Sequence, residues 1–109
     1  MIVRMWHGRV PITKADAYRE FLKQRALPDY QNTPGNVGSY VLERESPDSE
    51  EMHFMTVSLW FDMGAVEGFA GSQSDLARYY PEDADFLLEF EPYVIHYEVS
   101  PIHRSVSEF

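Results

Sequence analysis

Residues 52–61 carry apolar side chains on both faces of a predicted strand, and this pattern constrains the fold more than any other feature. With the two-residue alternation of a strand, one face consists of Met52, Phe54, Thr56, Ser58 and Trp60, and the other of His53, Met55, Val57, Leu59 and Phe61. Helices on one side of an antiparallel sheet cover only one of these faces. The other face needs a cover of its own, and a second copy of the chain is the simplest one.

The remaining segments predict a single βαββαβ unit. Strands are predicted over residues 2–9, 37–45, 52–61 and 93–99, and helices over about 13–27 and 62–70, with a further helical turn near 86–90. The first helix is expected to begin at Thr13 as N-cap and to end at Leu27, because the residue before a proline disfavours helical backbone. This order predicts an α+β, ferredoxin-like antiparallel sheet with helices on one face. We expect one domain over residues 1–100 and a tail over 101–109.

Charge and composition argue against several classes of partner. Nine basic and eighteen acidic side chains give a net charge of −9, which disfavours nucleic acid and anionic membrane surfaces because both attract Lys and Arg. The absence of cysteine excludes disulfides, thiolate nucleophiles and iron–sulfur clusters. The N-terminal residues do not follow the pattern of a signal peptide, and no stretch has the length of a membrane span. A cytoplasmic protein is expected.

Several short segments resemble those of the antibiotic biosynthesis monooxygenase superfamily, whose members are dimeric α+β barrels. The resemblance covers roughly residues 1–100, and it rests on segments 33–38, 58–60, 69–71, 79–83 and 94–99. It implies a homodimer that packs sheet against sheet. It also implies an apolar pocket in which a small aromatic or quinol-like substrate supplies its own electrons to oxygen. We expect this pocket between the sheet and the second predicted helix, because Trp60 ends a strand where Asp62 begins that helix.

The resemblance also suggests which side chains would serve such a pocket. Trp60 would form an aromatic wall, a histidine would transfer protons, and Asn36 would stabilise the substrate anion. Taken alone, a tryptophan at a strand end is more often a core residue, and a histidine among apolar neighbours is usually a hydrogen-bonded structural residue. The predicted catalytic residues are His7, His96, Trp60 and Asn36, and the predicted substrate-binding residues are Phe69, Tyr79 and Tyr80.

No metal or cofactor is expected. His7, His53 and His96 come from different predicted strands, and no His-x-His or His-x-x-x-His spacing occurs. The resemblance implies that heme-degrading relatives hold iron with a histidine on the second helix, and residues 62–80 contain no histidine.

Three functions are compatible with these observations. The first is a cofactor-independent monooxygenase acting on a small aromatic or quinol-like substrate. The second is a non-catalytic homodimer that binds a small molecule or acts as an accessory protein. The third is an isomerase or cyclase that uses the same histidines as proton shuttles. The sequence alone does not separate them.

Overall fold

The computed structural model describes residues 1–47 and 50–102. The strands are β1 (Ile2–Pro11), β2 (Asn36–Glu45), β3 (Glu51–Trp60) and β4 (Ile95–Glu98). The helices are α1 (Ala15–Phe21), α2 (Leu27–Gln31) and α3 (Met63–Ala70). Shorter helical turns are a 3-10 turn at Ile12–Lys14, a π turn at Leu22–Ala26 and a second 3-10 turn at Pro81–Asp85. The greater part of the predicted tail, residues 103–109, lies outside the described residues.

The four strands form one antiparallel sheet in the order β2-β3-β1-β4. In β1, Met5 lies opposite Val57 of β3 on one side and Ile95 of β4 on the other. Because α1 follows β1 and α3 follows β3, the chain has the predicted βαββαβ order. The ferredoxin-like α+β prediction is therefore confirmed.

The helices cover one face of the sheet, which we call the inner face. Along β1 every second residue from Ile2 to Val10 is buried, and the residues between them are partly exposed. One cluster of buried side chains surrounds Trp6, Tyr18 and Phe54, and a second surrounds Trp60. The strand alternation thus places the core between this face and the helices.

The first helical region differs from the sequence-based prediction at both ends. Thr13 does not cap it, since α1 begins at Ala15 after a 3-10 turn and no side chain provides a cap. It also does not stop at Leu27, whose amide donates to the carbonyl of Leu22 five residues earlier. This π turn lets the helix continue through Pro28, which stands in the first turn of α2, where an amide hydrogen is not needed.

The connections around α3 follow the sequence more closely. Asp62 caps the helix as predicted, and its side chain accepts a hydrogen bond from the amide of Ala65 at 2.9 Å. The turn before β2 requires Gly35, whose φ of 90° is unfavourable for other residues. The helical turn predicted near 86–90 is wrong, because the 3-10 turn lies earlier, at Pro81–Asp85.

Residues 71–94 cross the open side of the inner face with little regular structure, and we call them the covering segment. Within the segment, an isolated bridge joins Leu76 to Tyr93. The segment is attached to β1 by the amide of Leu88, which donates to the carbonyl of Arg9 at 2.9 Å. Side chains also attach the segment: the Tyr18 hydroxyl donates to Asp83 at 2.9 Å. A segment held largely by side chains separates from the sheet more readily than a paired strand.

The opposite face of the sheet, which we call the outer face, is apolar, and no helix of the described residues lies over it. Its central side chains are Val3, Met5, Tyr40, Leu42, Met55, Val57, Leu59, Ile95 and Tyr97. Ile95 and Tyr97 are both 57% exposed. The two apolar faces expected from residues 52–61 are therefore present. Within the described part of the chain, no helix is long and apolar enough to cross a membrane.

Candidate functional site

A small cavity lies between the inner face, the first helical region and the covering segment. Its volume is about 30 Å³, which is room for one or two water molecules. The π turn forms one wall, a feature that often accompanies functional sites. The lining side chains are Arg4, Trp6, Tyr18, Leu22, Ala26, Tyr30, Thr56, Phe69, Arg78, Tyr80 and Asp83.

Arg4 contributes a buried guanidinium to this cavity. The residue is 2% exposed, and one terminal nitrogen donates to the carbonyl of Leu76 at 3.1 Å. Its Nε is buried without a hydrogen-bond partner among the described residues. Burial is the main reason that the pKa of Arg4 is lowered, and the nearby charge of Arg78 lowers it as well. A buried cation usually has an anionic partner, yet no described Asp or Glu forms an ion pair with Arg4.

A second arginine shares an aromatic ring with Arg4. The guanidinium carbons of Arg4 and Arg78 lie 5.3 Å and 4.7 Å from the centre of the Phe69 ring. Arg78 also donates to the carbonyl of Phe69 at 2.8 Å, and it is exposed where Arg4 is buried. No carboxylate among the described residues pairs with Arg78 either. The cavity therefore has one cation at its floor and another at its edge.

His96 lies beside Arg4 on the inner face, because the two residues are direct partners across β1 and β4. Its Nδ1 is 3.4 Å from a carboxylate oxygen of Asp75, and its Nε2 is buried without a partner among the described residues. Burial, followed by the charge of Arg4, lowers the pKa of His96 below its ordinary value of 6.5. The imidazole is therefore neutral near pH 7 and can accept a proton.

Tyrosine–carboxylate bonds hold the covering segment over the cavity. Asp83 accepts from the Tyr18 hydroxyl and, at 2.7 Å, from the Tyr80 amide, while the Tyr80 hydroxyl donates to Asp29 of α2. Burial is the largest influence that raises the pKa values of Tyr18, Tyr80 and Asp83. Both tyrosines are therefore neutral donors near pH 7.

Of the seven predicted site residues, Phe69 and Tyr80 line the cavity. Trp60 lies one layer behind it, fully buried, with its ring 5.5 Å from that of Phe69 and 6.2 Å from that of Tyr30. Its indole nitrogen donates to the Ser58 hydroxyl at 2.9 Å. Trp60 thus supports the wall of this cavity and does not line it.

Asn36 and Tyr79 also lie away from the cavity lining. The Asn36 amide nitrogen donates to the carbonyl of Leu59 at 3.1 Å, where it stabilises an irregular start of β2. The Tyr79 hydroxyl donates to the carbonyl of Glu91 at 2.5 Å and accepts from the Trp6 indole at 3.3 Å. Both polar groups are therefore occupied in holding backbone segments together.

His7 lies on the outer face and His96 on the inner face, so the two predicted catalytic histidines do not share a pocket. Its Nδ1 is 2.6 Å from a carboxylate oxygen of Glu91, and its Nε2 is 2.9 Å from the Nδ1 of His53. An open depression of about 330 Å³ adjoins this histidine pair. The physical reason is the strand alternation: odd-numbered residues of β1 point away from the helices, whereas His96 pairs with the even-numbered Arg4.

The donor sets do not favour a metal or heme. No group of three or more His, Cys, Asp or Glu residues suited to a metal ion occurs among residues 1–47 and 50–102. Helix α3, where the resemblance implies a heme-ligating histidine in heme-degrading relatives, contains none.

Sequence reasoning missed Arg4 and Arg78. Arg4 had a readable signal, because it interrupts an apolar alternation that runs from Ile2 through Trp6 to Val10. Arg78 had none, since its place beside Phe69 depends on the path of the covering segment.

Comparison with solved structures identifies the fold. Over 97% of this chain and 95% of the other, it superposes on a protein of unknown function from Nitrosomonas europaea, with 16% identity and a TM-score of 0.69. A putative antibiotic biosynthesis monooxygenase from the same organism gives 18% identity, coverage of 91% and 98%, and a TM-score of 0.62. The chain shares the fold of these proteins.

A heme-degrading protein from Mycobacterium tuberculosis has the same fold, with 17% identity over 94% of this chain and 98% of that one and a TM-score of 0.57. At such identities the likeness concerns the fold, since one fold hosts many activities. No protein-family model and no curated protein matches the sequence.

Proposed function

We propose that the protein is a cofactor-independent monooxygenase of the antibiotic biosynthesis type, acting on a small phenolic or quinol-like substrate in the cavity on the inner face. One observation carries this proposal: the Nε2 of neutral His96, outside the cavity lining, and the Nε of Arg4, within that lining, are both buried without partners among the described residues, and the two residues pair directly across β4 and β1. The first is a proton acceptor and the second stabilises an anion, and cofactor-free oxygenation of a phenol needs both.

The proposed chemistry assigns a role to each group. His96 takes the phenolic proton at Nε2, and Asp75 holds the ring from the Nδ1 side. The guanidinium of Arg4 stabilises the phenolate, an electron-rich anion that reacts with dioxygen. In the overall reaction a phenol and one dioxygen molecule give a quinone and one water molecule. The protein then supplies orientation, charge and exclusion of solvent.

Access to the site requires movement of a wall. A volume of about 30 Å³ is too small for an aromatic ring, since roughly 150 Å³ accommodates benzene. The covering segment is the wall able to move, because no strand pairing with the four-stranded sheet is described for it and side-chain bonds, such as those from Tyr18 and to Asp29, hold much of it in place. Substrate binding is therefore proposed to open this segment, after which its closure excludes water.

We further propose that the active form is a cytoplasmic homodimer in which two outer faces pack together. The support is the row of exposed apolar side chains on β2 and β4, among them Leu42 at 47% and Ile95 at 57% exposure. A monomer seldom exposes a contiguous apolar patch of this kind. Two copies related by a two-fold axis bury it with a single self-complementary contact.

A non-catalytic binding dimer is the second candidate, and the packing around Trp60 favours it. A residue proposed to contact substrate is instead fully buried behind the cavity wall. In that case the cavity would bind a ligand without reacting it with oxygen.

Oxygen consumption with a panel of hydroquinones and phenols tests the proposal. The wild-type protein should consume oxygen, and His96→Gln should reduce the rate about 100-fold or more, as expected for loss of a general base. His7→Gln is the matched control, since His7 lies on the opposite face. Ligand binding without oxygen consumption would favour the binding dimer, and equal losses in the two variants would contradict the assignment of His96.

A further inference from the structure

The two arginines at the cavity carry more positive charge than a neutral ligand requires. Asp83 is the one carboxylate among the lining residues, and both of its oxygens already accept hydrogen bonds, from Tyr18 and from the Tyr80 amide. It forms no ion pair with either arginine. The lining therefore has a net positive charge even when Asp83 is ionised.

We propose that the cavity binds an aromatic carboxylate, with the carboxylate held between Arg4 and Arg78 and the ring stacked among Phe69, Tyr30 and Tyr80. This proposal deepens the function given above and rests on it for the place of the site. It specifies a substrate that is already an anion before any proton transfer, and it makes this carboxylate, in place of the phenolate, the anion that contacts Arg4.

The chemistry of the two side chains favours a carboxylate over a phenol alone. A guanidinium presents paired N–H donors that match the two oxygens of a carboxylate. The buried Nε of Arg4 has no partner within residues 1–47 and 50–102, and a bound carboxylate would satisfy it. Arg78 lies at the exposed edge, 4.7 Å from the centre of the ring that Arg4 also contacts. An anion entering from solvent therefore meets Arg78 first and Arg4 last.

Burying Arg4 near Arg78 costs folding free energy when no ligand is bound. Arg4 is desolvated, and the charge of Arg78 acts against it in the same low-dielectric region. An apolar residue of similar length would fill the position of Arg4 without this cost. Retaining a buried cation that has no described anionic partner beside a second cation is consistent with a site that is completed by an anion.

Calorimetric titration of the full-length protein with benzoate and with benzamide tests the charge requirement. The two probes have the same ring and nearly the same size, and they differ in charge. The wild-type protein should bind benzoate at least about tenfold more tightly than benzamide, because charge-assisted hydrogen bonds are roughly twice as strong as neutral ones. Equal affinities for the two probes, or no benzoate binding by the folded protein, would overturn the proposal.

Variants assign the effect to the two arginines. Arg4→Met should lose the preference for benzoate, and Arg78→Met should reduce it by a smaller factor because Arg78 is exposed to solvent. Arg25→Met is the matched control: Arg25 also stacks on an aromatic ring, that of Tyr80 at 4.8 Å, but it pairs with Glu82 and does not line the cavity. If Arg4→Met does not fold, the ratio of benzoate to benzamide affinity in the wild type and in Arg78→Met still tests the proposal. If both single variants, Arg78→Met and Arg4→Met, keep the wild-type ratio of the two affinities, the assignment of the anion site to these arginines is contradicted.

The result is separable from that of the proposed function. A benzoate preference without oxygen consumption by any hydroquinone would leave the anion site standing and refute the monooxygenase. Oxygen consumption with neutral quinols and no benzoate preference would support the monooxygenase and refute the anion site.

Discussion

Replacing Ile95 on the outer face should disrupt the proposed dimer by an amount that the structure allows us to work out. Ile95 is 57% exposed in the isolated chain. Complete burial of an isoleucine is worth roughly 1.5–3 kcal/mol, so the partner would contribute about 1–1.5 kcal/mol per copy by covering the rest. The two-fold axis doubles this contribution to about 2–3 kcal/mol, and Ile95→Ala should therefore raise the dissociation constant by up to about 30- to 150-fold.

Ile95→Asp adds a second cost, because the interface would then hold two carboxylates without partners. An uncompensated buried charge costs roughly 3–5 kcal/mol. Two of them, together with the lost apolar contact, should raise the dissociation constant by more than about 10⁴-fold. Ala17→Asp is the control, since Ala17 is exposed on α1, far from the outer face.

Sedimentation equilibrium over a range of micromolar concentrations measures this series. We expect a dimer for the wild type and the control, a weakened dimer for Ile95→Ala, and monomeric or unfolded chains for Ile95→Asp. A wild-type protein that sediments as a folded monomer would refute the reasoning. An Ile95→Asp variant that associates as tightly as Ala17→Asp would also refute it.

Three further predictions concern the inner face. Stability should fall as the pH drops below about 6.5, because the lowered pKa of His96 means that the native state binds fewer protons than the unfolded state. Urea unfolding at about pH 7.5 and about pH 5.5 should show a smaller loss of unfolding free energy for His96→Gln than for the wild type, and an equal loss would exclude this histidine as the cause. Gly8→Ala should destabilise the fold by about 1–3 kcal/mol in thermal melts, since a Cβ there would lie 2.5 Å from the Trp6 ring; an unchanged melting temperature would show that the indole can shift. Tyr80→Phe removes a hydrogen bond to α2 and should speed amide hydrogen exchange in the covering segment, whereas unchanged exchange there would show that this bond does not restrain it.

The strand alternation predicted the sheet but left the orientation of each strand open. Because both faces of β3 are apolar, the sequence did not indicate which face the helices cover. The pairing of Arg4 with His96 decides this for β4, and it places His7 on the other side. Such pairing joins residues about ninety positions apart, so no local pattern reports it.

Local rules also failed where tertiary contacts outweighed them. The rule that a helix ends before a proline is sound for a regular α-helix, but a π turn shifts the hydrogen bonds by one residue before Pro28. The covering segment was equally hard to foresee, because long-range bonds such as that from Tyr18 to Asp83 fix its path. The expected pocket between the sheet and the second helix stays a prediction, while Arg4 and Arg78 were found only in the structure.

The covering segment touches both faces of the molecule, and this would couple binding of the proposed ligand to association of the proposed dimer. Arg78 and Asp83 border the cavity on the inner face, whereas Glu91 of the same segment contacts His7 on the outer face. A displacement that admits a ligand on one side also shifts the surface through which two copies would associate. Ligand affinity should then depend on protein concentration, and thermodynamic reciprocity requires that ligand change the association constant by the same factor.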